Sequence, residues 1–422
     1  MPLTRTVSPS QTDRKWDTLT YQTYFTPRAA NVAFGWWSHD IGGNHNGGYS
    51  GYEPKTEKPI PGAYPGDEIP TNRTGSEMLL RWLQFGCFSP IFRTHCDPTC
   101  DRYVWHYPDF GDMRAAMRLR DALVPYIYTA GLHAYRTGVS LLRPMYYSFP
   151  ESEEAYAHPG QYMFGDSILV SPVSSPSDNA TGLAHKAVWL PDANATSWLN
   201  WDGTAVGPSP RSQWAKHEIP AFVQSRGGAG AIVPMRTANS TYTAFVDPLV
   251  WATWLPSPLS TAHAAVAELY EDAGDGTRDS LLLAWPNSSS DYTRMSSGRE
   301  YEDPTNTAHA TTEAALRSSE AGTVHLVVQP TSGKFDGQGE TRQHVVQFRG
   351  RSAPKTVTVN GKAIGKIAPV APDSAALGSG AGWFVSGQSA DGRDNFTQPA
   401  GVLVVAAGRH SIREAVKVTA SW

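Results

Sequence analysis

The chain has 422 residues, which is more than one hydrophobic core usually organises, so its length predicts two or three domains. A formal charge of −4, without any run of lysine and arginine, gives no broad basic surface, so neither nucleic acid nor a membrane is expected as a partner. No stretch of about 18 residues is apolar enough to predict a membrane span, and the first residues contain no apolar signal peptide. Six Asn-X-Ser/Thr sequons would suit a secreted protein, but the sequence leaves the compartment open.

In the N-terminal third of the chain, apolar runs of strand length alternate with helical patterns. Residues 29–39, AANVAFGWWSH, predict a buried strand that opens into a glycine-rich loop. Apolar residues then recur at helical spacing over 76–86, with Ser76 as the expected N-cap and Gly86 as the expected end of the helix. The following CFSPIFRTH, residues 87–95, predicts the next strand.

A longer helix is predicted over residues 113–138, with a kink at Pro125 and an end at Gly138. Strand, loop and helix in this repeated order are typical of parallel βα units. Residues 30–138 contain about two such units, whereas a closed (β/α)8 barrel needs eight.

From Ser140 onward the sequence changes to short strand-like runs separated by proline, glycine and asparagine turns, a pattern typical of antiparallel sandwiches. Within this part, the Asn-Gly pair at 360–361 predicts a tight hairpin. The predicted fold class is therefore α/β plus all-β: a partial (β/α)8 TIM-type barrel over 1–139, a proximal β-sandwich over 140–236, and a distal β-rich domain over 237–422.

Several blocks in fixed order resemble glycoside hydrolase family 31. They are FGWWSHDIGG at 34–43, SEMLLRWLQFGCFSPIFRTH at 76–95, the helical block at 119–145, and QYMFGDSILVSPV at 161–173. The resemblance covers about 16–235 and implies the last units of a catalytic barrel followed by C-terminal sandwiches. It also implies a hydrolase of carbohydrate metabolism that acts on terminal non-reducing α-linked glucose or xylose by a retaining mechanism, on α-glucoside or α-xyloside oligosaccharides, with no cofactor and no metal.

Asp40 follows the first predicted strand, at the end where barrel loops gather a substrate, and Trp36 and Trp37 precede it. A carboxylate that accepts sugar hydroxyls beside aromatic rings that pack on a pyranose face has the chemistry of a sugar pocket. An aspartate before two glycines can equally cap a turn. The family resemblance favours the ligand role for Asp40.

His95 matches the family's histidine that hydrogen-bonds a hydroxyl of the glycosyl unit in the −1 subsite. Arg93 lies two residues earlier and therefore points to the same side of the predicted strand. It could orient a carboxylate or contact the sugar, and a purely structural ion pair is the favoured alternative. The predicted substrate-binding residues are thus Asp40, His95, Trp36, Trp37 and Arg93.

Glu77, Arg81 and Gln84 repeat at helical spacing on the intervening helix, so they can reach one another or a neighbouring loop. A scaffold role is favoured over a catalytic one.

Two cysteines and two histidines, His95, Cys96, Cys100 and His106, lie close enough in sequence to raise the question of a zinc site, but their spacing matches no strong zinc pattern. A Cys96–Cys100 disulfide is one alternative, and buried or free thiols, including Cys87, are favoured over it.

No catalytic carboxylate is recognisable from the family's motifs. The nucleophile of the family lies in a Trp-x-Asp-Met-Asn-Glu string that this sequence does not contain. The acid/base lies in a Gly-Asp pair before a tryptophan that resembles Trp16, and Asp13 is only a weak candidate because its offset is wrong. The chain is therefore expected to be inactive alone. The alternatives are a non-catalytic carbohydrate-binding protein and a transglycosylase or lyase that acts on α-glucans; the oligomeric state stays open.

Overall fold

A computed structural model describes twelve segments of the chain. They are residues 14–44, 74–96, 102–191, 196–207, 210–237, 245–256, 260–273, 308–319, 322–351, 353–369, 380–386 and 401–422. Within these segments, no helix combines the length and the apolar character that crossing a membrane requires.

The helices of the described residues lie in the first 160 residues of the chain. The α-helices are α1 (Trp16–Arg28), α2 (Ser76–Cys87), α3 (Phe110–Ala122), α4 (Val124–Thr137) and α5 (Glu154–Ala157), and the short 3-10 helices are Ala29–Val32, Val104–His106 and Met145–Tyr147.

The strand predicted over residues 29–39 is wrong. Its first residues, which include the strong helix formers Ala29 and Ala30, continue α1 as a 3-10 helix that ends at Ala33 in the left-handed conformation. Beyond it, residues 34–40 belong to no strand, and the chain makes only a single parallel bridge, between Ile41 and Thr94.

The second predicted strand, over 87–95, is reduced to the same bridge. The carbonyl groups of its first residues accept hydrogen bonds from a side chain instead of from a neighbouring strand. Arg120 of α3 donates to the carbonyl oxygens of Cys87, Ser89 and Pro90. The parallel direction of the bridge agrees with the predicted βα order, while the number of barrel units stays a prediction.

Helix α2 is confirmed, although its two ends differ from expectation. Gly75 rather than Ser76 occupies the N-cap position, and the Ser76 hydroxyl instead donates to Asp109 at 2.7 Å. Gly86 lies inside the helix rather than ending it. A Cβ at Gly86 would come within 2.6 Å of the Cδ1 atom of Ile41, so this glycine allows the helix to pack closely on the bridge.

The long helix predicted over 113–138 is divided into α3 and α4, which meet at Leu123. Pro125 lies in the first turn of α4, where its missing N–H costs no helical hydrogen bond. The predicted end at Gly138 is confirmed, with a left-handed φ of 73°.

The remaining elements of the described chain are strands of two to eleven residues. They are β1 (Leu142–Pro144), β2 (Tyr162–Phe164), β3 (Ile168–Val170), β4 (Ala184–His185), β5 (Thr196–Asn200), β6 (Gln213–Trp214), β7 (Ala221–Arg226), β8 (Ala231–Arg236), β9 (Leu249–Trp254), β10 (Ala264–Asp272), β11 (His309–Ser319), β12 (Thr323–Val328), β13 (Ser332–Gly333), β14 (Thr341–Arg349), β15 (Thr356–Val359), β16 (Lys362–Ala363), β17 (Gly382–Val385), β18 (Leu403–Ser411) and β19 (Val416–Ser421).

These strands form three larger sheets and the β4–β6 pair. The proximal sheet has the order β1-β2-β3-β7-β5, the middle sheet β17-β18-β14-β9-β8, and the distal sheet β10-β11-β12-β19-β15-β16 with β13 beside β11. Pairing is antiparallel in all three sheets except between β9 and β14, which run parallel. The predicted Asn360–Gly361 hairpin is confirmed between β15 and β16, with positive φ at both residues.

The middle sheet is covered on both faces. On β8, Val233 and Met235 belong to a core that includes the helices and the proximal sheet, whereas Ile232 belongs to the core shared with the distal sheet. Strand β8 precedes the predicted boundary at 236 but pairs with β9 beyond it, so hydrogen bonds cross that boundary. The domain limits themselves stay a prediction.

Polar side chains on α2 fasten the helix to the loops of the proximal sheet. Arg81 is fully buried and donates to the carbonyl oxygens of Ala215, Lys216 and Glu218 at 3.2–3.3 Å. Gln84 also donates to the Lys216 carbonyl, at 2.6 Å. These contacts support the scaffold role expected for this face of the helix.

We expect Arg81→Ala to lower the free energy of unfolding by about 2–4 kcal/mol, because it leaves buried carbonyl groups without donors. Chemical denaturation of the full chain measures this change. Arg136→Ala, on the exposed face of α4, is the matched control and should change the value by less than about 0.5 kcal/mol. Equal effects of the two substitutions would contradict the anchoring role.

Candidate functional site

The Ile41–Thr94 bridge brings two sequence-distant polar segments together. The backbone N–H of Ile41 donates to the Arg93 carbonyl at 3.1 Å, so Asp40 lies beside the segment that carries Arg93 and His95. A second bond, from the Gly43 N–H to the Asp40 carbonyl at 2.9 Å, closes a turn immediately after the aspartate. Both segments of the site are thus held by backbone hydrogen bonds.

Asp40 has a buried carboxylate, only 1% exposed, that faces two half-exposed basic side chains. Arg93 pairs with its Oδ1 atom and is 38% exposed. The Nδ1 atom of His95 lies 3.8 Å from the same oxygen, and this ring is 45% exposed. The cluster therefore presents an oriented carboxylate with hydrogen-bonding groups that solvent or a ligand can reach.

Both predicted tryptophans pack against helices. The Trp37 ring meets Phe25 of α1 edge to face, with centroids 4.9 Å apart. Trp36 lies against Gly131 of α4, where an added Cβ would come within 2.9 Å of its Cζ2 atom. Each ring thus contacts a helix, Trp37 is only 6% exposed, and contact of either ring with a sugar stays a prediction.

Arg102 stabilises the loop that follows Asp40 by hydrogen bonds. Its guanidinium donates to the carbonyls of Gly42 and Gly43 and, at 3.0 Å, to the Thr74 hydroxyl. Gly42 has a φ of 93°, and a Cβ there would lie 2.6 Å from the Arg102 Nε atom. The close approach explains the first glycine of the pair. No sequence motif marks Arg102 itself, and only the glycines indicated that something packs against this loop.

His39 is a further buried residue next to Asp40. Its ring stacks on Phe85 with centroids 4.4 Å apart and lies 5.5 Å from the Trp82 ring. Burial lowers the pKa of His39 to about 3, with smaller contributions from the positive charges of Arg93 and Arg120. The imidazole is therefore neutral at physiological pH. His39 is the last residue of the apolar run 29–39, which predicted burial but not the contacts with Phe85 and Trp82.

The other predicted residues do not enlarge the cluster. Asp13 and Cys100 lie outside the described residues. Cys96 is disulfide-bonded, which corrects the expectation of a free or buried thiol there, and Cys87 is buried and free. Among the residues whose positions are described, no group of three or more histidine, cysteine and acidic side chains is arranged to hold a metal.

Helices packed on a parallel bridge, with antiparallel sheets that follow them in the chain, place the protein in an α/β-plus-β fold class. The model for the glycosyl hydrolases family 31 TIM-barrel domain matches residues 10–130, and that for the family's C-terminal domain matches residues 138–232. The chain belongs to glycosyl hydrolase family 31.

Curated relatives include an α-glucosidase and an α-xylosidase. Neutral alpha-glucosidase C of Mus musculus is 32% identical over 210 residues, which are 47% of this chain and 22% of the relative. An alpha-xylosidase of Saccharolobus solfataricus is 31% identical over 175 residues, which are 40% of this chain and 22% of the relative. The chain therefore spans only part of the length of these relatives.

Solved structures of the family share the fold. The Flavobacterium johnsoniae dextranase, complexed with glucose, superposes on 96% of this chain and 42% of its own, with a TM-score of 0.64 and 18% identity. The Xanthomonas citri α-xylosidase covers 82% of this chain and 32% of its own, with a TM-score of 0.57 and 22% identity. At these identities the likeness establishes the fold alone.

We expect the free energy of unfolding to fall as the pH decreases from 6.5 toward about 3, because unfolded His39 binds a proton in this range while folded His39 does not. His39→Phe keeps an aromatic ring on Phe85 and removes the titrating group. It should reduce the slope by up to ~1.4 kcal/mol per pH unit.

Denaturant unfolding of both proteins across this pH range measures the two slopes. Substitution of the exposed His133 by Phe is the matched control and should leave the slope unchanged. Parallel slopes for wild type and His39→Phe would show that His39 contributes no such acid sensitivity.

Proposed function

We propose that Asp40, Arg93 and His95 form one wall of a glycone subsite in an α-glycosidase that acts on terminal non-reducing α-linked glucose or xylose. The supporting observation is the buried Asp40 carboxylate, which is paired with Arg93 and lies 3.8 Å from a His95 ring that remains 45% exposed. Trp36 and Trp37 are the aromatic part of this proposed subsite.

In this subsite, the bound sugar displaces the half-exposed Arg93 or His95 side chain, so that the oxygens of Asp40, which are only 1% exposed without a ligand, accept hydrogen bonds from sugar hydroxyls. Bonds between a hydroxyl and a charged acceptor are among the stronger ones that a neutral ligand can make. His95 can donate or accept, depending on its tautomer. Such hydroxyl contacts strengthen as the sugar ring distorts toward the transition state, so they contribute to rate as well as to binding.

A retaining glycosidase also needs two carboxyl groups about 5–5.5 Å apart, one as nucleophile and one as acid/base. The sequence contains no Trp-x-Asp-Met-Asn-Glu string, and Asp13 is a weak candidate for the acid/base. We therefore infer that the 422-residue chain contributes part of a barrel over 1–139, followed by sandwich domains over 140–236 and 237–422, and has no turnover by itself.

The purified chain should release no p-nitrophenol above the buffer rate from p-nitrophenyl α-glucoside or α-xyloside, because a covalent glycosyl intermediate requires a placed nucleophile. A continuous absorbance assay measures this release. Turnover at a rate within the usual range of enzymes, about 1–1000 per second, would contradict the proposal.

Carbohydrate binding without turnover is the second candidate function. Two observations favour it: the Asp40–Arg93 pair is formed, and the sequence lacks the motif that carries the family's nucleophile. The residues proposed to bind the sugar lie outside that motif. Affinity for a sugar in the absence of hydrolysis separates this function from that of a hydrolase.

Asp40→Asn should weaken binding of glucose or xylose to the full chain by about 10–100-fold, because an amide replaces the charged acceptor. Ligand-observed NMR titration measures the affinity. Asp166→Asn removes an exposed carboxylate on the proximal sheet and is the matched control, which should bind as wild type does. Equal affinities of wild type and Asp40→Asn would remove Asp40 from the subsite.

A further inference from the structure

A second polar and aromatic surface lies where the first helices meet the proximal sheet. We call it the tyrosine patch. Its members are Tyr24, Arg28, Asn31, Tyr146, Tyr147 and Tyr156. It shares no residue with the Asp40 cluster.

Hydrogen bonds fix the tyrosines in the patch. The Asn31 side-chain amide donates to the Tyr146 hydroxyl at 2.8 Å and accepts from the Tyr147 hydroxyl at 2.9 Å. The Tyr156 hydroxyl donates to the Pro150 carbonyl at 3.2 Å. These rings therefore lose little further conformational freedom when a ligand binds.

The rings also contact one another. Tyr146 and Tyr156 are stacked, with centroids 5.2 Å apart and planes 9° from parallel. The Arg28 guanidinium carbon lies 3.9 Å from the Tyr24 ring centroid and 5.9 Å from that of Tyr146. One Arg28 nitrogen, Nη1, donates to the carbonyls of Tyr24 and Pro159, both at 2.8 Å. The guanidinium is thus held over the Tyr24 ring, with the Tyr146 ring farther away.

Despite these contacts, much of the patch is open to solvent. Tyr24 is 41% exposed, Tyr147 42% and Tyr156 55%. Single exposed aromatic residues are common on proteins, whereas a fixed cluster of them marks a binding surface. Each ring combines an apolar face with a polar hydroxyl, so the patch suits a ligand that alternates C–H faces and hydroxyl groups.

The charges around the patch favour a neutral ligand. In the described chain, no carboxylate forms an ion pair with Arg28, so its remaining N–H groups are available as donors to a ligand. Exposed Glu151, Glu153 and Glu154 lie next to Tyr156, however, and they disfavour a phosphate or an acidic peptide. A hydroxyl-rich neutral saccharide fits both observations.

We propose that the tyrosine patch binds an α-glucan chain at a position separate from the Asp40 subsite. The saccharide class follows from the rings, the donors and the charges of the patch, while the α-linked glucan rests on the proposed function. Such a surface would bind a polymer away from the glycosidic bond that is cleaved.

Native affinity electrophoresis in gels that contain amylopectin or dextran tests this proposal on the full chain. Both wild type and Tyr156→Phe, which keeps the ring, should be retarded by one of these α-glucans. Tyr156→Ala should raise the apparent dissociation constant about tenfold. Tyr147→Ala is a second variant with the same expectation, and Trp105→Ala removes an exposed ring outside the patch and should migrate as wild type does.

Thermal unfolding of each variant verifies that it is folded, and the Asp40→Asn variant separates this proposal from the previous one. Retardation that persists in Asp40→Asn but is lost in Tyr156→Ala and Tyr147→Ala supports the patch, even if the glycone subsite fails its own test. The proposal is overturned if neither α-glucan retards wild type, if both tyrosine variants migrate as wild type does, or if a gel of mixed-linkage β-glucan retards wild type equally.

Discussion

Burial of the middle sheet on both faces is the constraint on which the other parts of the structure depend. Its strands alternate between two cores, so Val233 faces the helices and the proximal sheet while Ile232 faces the distal sheet. A sheet exposed on either face would leave a continuous apolar surface in water. The helices and the distal sheet therefore stabilise one another through a shared layer, even though they contribute to different cores.

The candidate site depends on this packing through α2. Arg81 ties the helix to the proximal loops, and Gly86 lets it approach Ile41 closely enough to support the bridge beneath Asp40. The site also has an electrostatic requirement, since a carboxylate that is 1% exposed needs a charged partner, and Arg93 provides it. The Asp40–Arg93 ion pair therefore contributes both to the stability of the fold and to the proposed ligand site.

Local signals in the sequence predicted helix α2, the end of α4 at Gly138 and the Asn360–Gly361 hairpin, because each depends on residues close in sequence. The strand over 29–39 failed because its apolar run suits a helix continuation as well as a strand, and Ala29 and Ala30 favour the helix. Arg93 pairs with Asp40, which agrees with the structural ion pair that was favoured for it, while its contact with a sugar stays a prediction. The positions of Arg102 and His39 depend on long-range contacts that no local pattern encodes.

The parallel pairing of β9 with β14 has a consequence for how the chain reaches its native state. A parallel pair needs a crossover connection, and here residues 255–340, which include β10 to β13 of the distal sheet, lie between the two strands. Closing that long loop costs entropy before the β9–β14 contacts form, which is typical of slowly folding topologies. Because β14 and β18 also follow the crossover in sequence, a nascent chain cannot complete the middle sheet until Ser411, the last residue of β18, has been synthesised. The proximal sheet, built entirely from residues 142–226, can pair its strands much earlier.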